Sequence, residues 1–184
     1  MNFATYSIEQ KNRNVFPDEI EVGVYEDKVD LLRTVLTNGN GRDGLHKLSE
    51  LAAAVVFNED FKLSYPRKKI KIKKVTLTEM GFTEERVPSE QIYTWIKEHY
   101  AFCPQDAALY LRLEYSGVSN DRPSESLKVA AEPVMQFVSY ASKEKPLILS
   151  VENNEGCKNP SLVHFVHADG TFPLATTFVV ALKD

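Results

Sequence analysis

Cysteine is scarce in this chain. Cys103 and Cys157 are the only two in 184 residues, and neither belongs to a Cys-x-x-Cys pair. That excludes a disulfide scaffold, a Cys-rich zinc module and a thioredoxin-type redox motif, and it reads as two free thiols in a reducing compartment. The expected location is therefore the cytoplasm. Long apolar runs are also missing. The longest is the seven-residue Leu51 to Phe57, against the roughly 20 residues that a membrane-spanning helix needs. Met1 to Phe16 holds no signal-type apolar stretch, and Asn2 excludes N-myristoylation, so no membrane partner is expected. No Gly-x-Ser-x-Gly, His-Glu-x-x-His or phosphate-binding Gly-Lys-Ser/Thr sequence occurs, which removes several common enzyme classes.

What the chain does have is a charge asymmetry. Arg67 to Lys74 carries six positive charges in eight positions, although the net charge is -4. Asp18 to Asp30 is its opposite, with six acidic residues against one lysine. Surface charge of one sign steers partners of the other. Eight tyrosines, ten phenylalanines and one tryptophan supply bulk for a core.

Hydrophobic spacing then divides the chain. Val29, Leu32, Val35 and Leu36 recur at helical spacing after Asp27, a candidate cap. Turn formers at Asn38 to Gly41 stop that pattern, and a second helix is expected from Leu45 to Phe57, antiparallel to the first. Ile70 and Ile72 alternate with lysines as a strand does, but Val75 and Leu77 continue on the opposite parity. A bulge near Lys73 and Lys74 would realign them, and lysine-rich bulged strands belong at sheet edges. A third helix is expected from Pro88 or Ser89 to Tyr100. Leu109, Leu111, Leu113 and Tyr115 give the cleanest period of two in the chain. Further strands are expected at Leu127 to Glu132, Leu147 to Val151, Leu162 to His167 and Thr176 to Lys183, with Asp169-Gly170 as a turn.

The fold class that follows is α+β: N-terminal helices and one further helix packed on a mainly antiparallel β-sheet, read as a meander. Residues 1–184 read as a single domain. Its first 17 residues are a candidate disordered segment, residues 18–60 read as helical, and residues 61–184 as strand-rich with a helix near 88–100.

Each candidate site has a plainer explanation beside it. Gly39, Gly41 and Gly44 match the dinucleotide-binding spacing, but Leu31 to Thr37 before them reads as helix rather than strand, so a helix-helix turn explains them. His164 and His167 suit a metal on a helix, yet on a strand an odd separation sends the rings to opposite faces. His99 and Cys103 would share a face only if the third helix continued past Tyr100. Glu59-Asp60 and Glu84-Glu85 read as solvated loop charge. No metal, cofactor or catalytic residue is assigned. Cys157, in a polar loop next to Lys158, is the one centre on which a small cysteine-dependent enzyme could be built.

The basic ribbon remains the leading candidate. Lys69, Lys71 and Lys73 share one strand face about 6.5–7 Å apart, and Arg67 extends the row. The expected function is a non-catalytic protein-binding module of adaptor or regulatory type. It would take an acidic protein or peptide at a basic edge strand through Arg67, Lys69, Lys71 and Lys73. Nucleic acid ranks lower as a partner, because the protein is acidic overall. Asp18 to Asp30 is also expected to lie across the ribbon and mask it until a partner displaces it.

Overall fold

A computed structural model describes residues 15–37, 48–115, 125–138, 141, 143–153 and 161–183. The expected turn at 38–41 and the start of the expected second helix, residues 45–47, lie outside them. In chain order the elements are β1 (Glu19–Val22), α1 (Lys28–Thr37), α2 (Glu50–Phe57), β2 (Lys68–Thr76), β3 (Arg86–Pro88), α3 (Ser89–His99), α4 (Ala107–Glu114), β4 (Glu125–Val129), β5 (Val134–Val138), β6 (Lys143–Asn153), β7 (Ser161–His167), β8 (Thr171–Pro173) and β9 (Thr177–Ala181). The class is α+β, with four helices among the described residues packed against a mainly antiparallel sheet of seven strands.

The sheet is not a meander. Its order is β1-β2-β9-β4-β6, with β5 and β7 also paired to β6, and β4 runs parallel to β9. β9, far along the chain, lies between β2 and β4. β4 and β5 both pair antiparallel with β6, on successive stretches of it, and the break between them falls at Ala130 to Pro133. β6 also begins earlier than expected and passes through Pro146. The Pro146 carbonyl accepts from Ala168 N just past the end of β7, so the missing N–H falls where that ladder stops.

Both faces of the sheet are buried. On one, Ile72, Val179, Leu147, Leu149, Val151 and Val163 meet Leu31 and Val35 of α1, Val55 of α2, and Leu109 and Leu113 of α4. On the other, Val75, Phe178, Val180 and Ile148 meet Ile92 and Ile96 of α3 with Val87 and Phe172 of the small β3/β8 pair. This removes the expected bulge at Lys73 and Lys74. The β2/β9 ladder runs from Ile72↔Ala181 to Thr76↔Thr177 without a skipped residue. Ile72 and Val75 have opposite parity because each serves a different core.

Ser49 caps α2, its hydroxyl accepting from Ala52 N at 3.2 Å, and Asp27 Oδ1 accepts from Val29 N at 2.6 Å ahead of α1. The two helices do not form the expected antiparallel pair as their main packing. α1 lies chiefly on α4, and α2 on β7 and β5.

The largest correction concerns residues 109–115, expected as a strand and found as α4 with its C-cap. Ala107 to Leu111 are all buried. A helix surrounded by core has no polar face, so its sequence loses the 3.6 period, and leucines at every second position mimic a strand. The contrary signal was composition: Ala107 to Tyr115 contains no β-branched residue and is rich in alanine and leucine, strong helix formers.

Tyr110 fixes α4 to the N-terminal segment. Its phenol oxygen accepts from Val24 N at 3.1 Å and from Tyr25 N at 3.2 Å, and the residue is 1% exposed. Tyr110→Phe leaves both donors without this acceptor and is expected to lower stability by about 1–3 kcal/mol in urea unfolding. A variant as stable as the parent would show that these donors find another acceptor.

Candidate functional site

The basic ribbon is extended, as its alternation indicated, but it does not form an edge. β1 pairs with Lys68 to Lys71, and β9 pairs with Ile72 to Thr76. The acidic segment supplies β1, so opposite charges meet across the ladder. Arg67 makes a two-pronged contact with Glu21, Nε to Oε1 at 2.6 Å and one terminal nitrogen to Oε2 at 2.7 Å. Lys69 Nζ lies 2.9 Å from Glu19 Oε1. The hydrogen bond with Glu19 is the main reason the Lys69 pKa is raised, and the charge of Glu19 adds to it. The edge beyond β1 is itself occupied near Glu21, whose N–H donates to Glu114 Oε1 of α4 at 3.3 Å.

The acidic segment therefore does lie across the ribbon, but not as a cover that a partner lifts off. Ile20 and Val22 of β1 are 1% and 0% exposed. Burial of each such side chain stabilises the fold by about 1.5–3 kcal/mol. Gly23 follows at φ 75°, and a Cβ there would come within 2.8 Å of the Pro66 carbonyl oxygen. β1 is a structural strand.

Four cations of the row thus divide in two. Arg67 and Lys69 are partly neutralised, while Lys71 and Lys73 are exposed and their ammonium groups make no hydrogen bond or ion pair among the described residues. Lys73 acts at longer range on Glu79, whose carboxylate accepts from Thr76 N and Oγ1 at 2.7 and 2.8 Å. Beside the row, Lys74 projects to the other face and sits over the Phe16 ring, 5.1 Å from its centroid.

The other candidates separate in space. Cys157, its neighbour Lys158, and Gly39, Gly41 and Gly44 lie outside the described residues; the segment before those glycines is α1, a helix. α3 stops at His99 and Tyr100 is extended, so His99 and Cys103 share no helix face. His99 stacks on Trp95 with ring centroids 4.2 Å apart. His164 stands opposite Ser150 and His167 opposite Leu147 on β7, which places them on opposite faces. Glu59, Asp60, Glu84 and Glu85 are exposed.

Sequence reasoning missed two polar groupings. Asp106 is a buried carboxylate that accepts from Ser64 N at 2.7 Å and Ser64 Oγ at 2.6 Å. Burial raises its pKa and these bonds oppose the rise. On the sheet, the Glu152 carboxylate gathers Lys128, Ser126 and Ser150 at 3.4, 3.0 and 3.4 Å. The strand register brings these residues together, and nothing in their sequence spacing marks them. Both groupings are closed networks of donors and acceptors that satisfy one another. Among the described residues no three metal-ligating side chains converge, and no helix is long and apolar enough to cross a membrane.

Comparison with protein-family models, with curated proteins and with solved structures gave no match in any of the three.

Cys103 is fully buried, its Sγ 3.7 Å from the Val179 carbonyl oxygen, and burial pushes its pKa from 9.0 up to about 12. It is expected to resist iodoacetamide at pH 8 in the folded protein and to react after unfolding; modification of Cys103 under native conditions, mapped by mass spectrometry, would contradict this. Because the folded pKa is the higher one, this thiol's contribution to stability is complete below pH 9.0 and is lost as pH rises towards about 12. Cys103→Ala should therefore flatten the alkaline limb of the stability profile measured by urea unfolding.

Proposed function

We propose that this protein is a non-catalytic, cytoplasmic binding module that takes an acidic segment of a partner protein on the exposed basic row Arg67, Lys69, Lys71 and Lys73. The observation that carries the reading is the pair Lys71 and Lys73, exposed and without an ion pair among the described residues. Recognition runs through side chains, because β1 pairs with Lys68 to Lys71 and β9 with Ile72 to Thr76, which leaves β2 no free edge over its full length. Carboxylates spaced along an extended peptide repeat every 6.5–7 Å or so on one side, the same interval as the lysines. Each exposed pair contributes little, about 0.2–1 kcal/mol, so the contact is multivalent, weak and sensitive to salt. Glu19 and Glu21 set its strength, since a partner must compete with them for Lys69 and Arg67.

The test is fluorescence anisotropy with a labelled hexaglutamate peptide in low salt. Lys71→Glu with Lys73→Glu should weaken binding at least tenfold. Glu19→Gln with Glu21→Gln should strengthen it several-fold by releasing Lys69 and Arg67. No saturable binding by the parent protein, or binding indifferent to both pairs of substitutions, would dispose of the reading. Tighter binding to a poly-thymidine strand than to the peptide, falling steeply with salt, would point to nucleic acid instead.

A further inference from the structure

α3 carries an open groove of about 430 Å³ lined by Phe82, Glu90, Gln91, Thr94, Trp95 and Glu98. Its composition is unlike that of the basic row. Two aromatic rings form part of the lining, and two carboxylates stand at either end of the helical stretch. Phe82 and Trp95 are half-buried and pack against the second core, so their ring positions are fixed by the fold. Trp95 is further held by the stack on His99 and by Tyr100, 5.7 Å away. Glu90 and Glu98 are exposed, and neither carboxylate makes a hydrogen bond or ion pair among the described residues. Of the cations at this end of α3, Lys97 sits over the Phe102 ring, 5.5 Å from its centroid, and Lys183 donates to the backbone carbonyls of Lys97 and Glu98 at 2.8 and 2.6 Å.

We infer that this groove binds a basic linear segment of a partner protein, with arginine side chains at the two carboxylates and an apolar side chain against Trp95 and Phe82. The proposal concerns a different surface and does not depend on the basic row. Charge complementarity selects a cation, because two unpaired carboxylates flank the site. The aromatic lining favours arginine over lysine, since a planar guanidinium stacks on a ring and still reaches a carboxylate through its fork of N–H donors. Helix geometry sets the spacing. Glu90 and Glu98 are eight residues apart on α3, which at 1.5 Å per residue is about 12 Å. An extended peptide rises about 3.3 Å per residue, so arginines four positions apart match the two carboxylates. The residue midway between them then lies over Trp95. A groove open along its length suits a peptide better than an enclosed small molecule.

Trp95 is the only tryptophan in the chain, so its fluorescence reports on this groove alone. The full-length protein is titrated with a capped Arg-Gly-Leu-Gly-Arg peptide and, separately, with the same peptide carrying glutamate for arginine. The expected result is a saturable change in Trp95 emission with the arginine peptide only. In Glu90→Gln with Glu98→Gln its dissociation constant should rise at least tenfold. Both glutamates are exposed, so the variant is expected to fold, and far-ultraviolet circular dichroism checks this. A separate arm uses Phe82→Leu, which keeps the carboxylates and should weaken binding several-fold. The proposal is overturned by any of three results: no saturable change at millimolar peptide, equal responses to the two peptides, or unchanged affinity in the glutamine variant. It is also overturned if sedimentation finds self-association that the glutamine variant abolishes, because the occupant is then a second copy of this chain. Failure here leaves hexaglutamate binding at Lys71 and Lys73 untouched, so the two readings fail separately.

Discussion

Burial of the central sheet on both faces is the constraint from which the rest of this structure follows. β6 and β9 send successive side chains into different cores, and β2 serves both cores through Ile72 and Val75. A strand placed this way has little freedom of register, because a slip of one residue would exchange the two sets of contacts. Lys69, Lys71 and Lys73 stand on the face that carries Val75, beside the second core, while Lys74 stands on the other. The spacing of the basic row is set by the strand that carries it.

The same constraint explains what could be read from the sequence. Alternation revealed β2, β7 and β9, and amphipathic spacing revealed α1 and α3, because each of these has contrasting sides. The pattern failed where contrast was lost. α4 is buried along most of its length, and its leucines imitate a strand. The short strands β1, β3 and β8 hold three or four residues each, too few to show a period. β5 was hidden by Pro133, which marks a break between two strands pairing with the same partner rather than the end of the sheet. The bulge expected at Lys73 and Lys74 came from assuming one buried face where there are two.

The candidate site was legible in part. Lys69, Lys71 and Lys73 lie in a strand and are exposed, as the lysine alternation implied, and Arg67 is exposed just before it. Their neighbours were not legible, since strand order is a long-range property. Opposite charge between Asp18 to Asp30 and the ribbon did anticipate the contacts of Glu19 and Glu21. It gave no sign that the intervening Ile20 and Val22 would make β1 a core strand. The α3 groove escaped notice because Phe82 and Trp95 are 13 positions apart, on a loop and a helix, and only folding sets them in one depression.

The position of β9 has a consequence for how this chain matures. Thr177–Ala181 lies between β2 and β4, both synthesised well before it. Until those five residues leave the ribosome, β1-β2 and the β4 to β7 group present unfilled edges with exposed N–H and C=O groups. Unfilled edges are templates for pairing with other chains. β1-β2 and the β4 to β7 group join through β9, so the pairing of that one strand on both its sides completes the sheet.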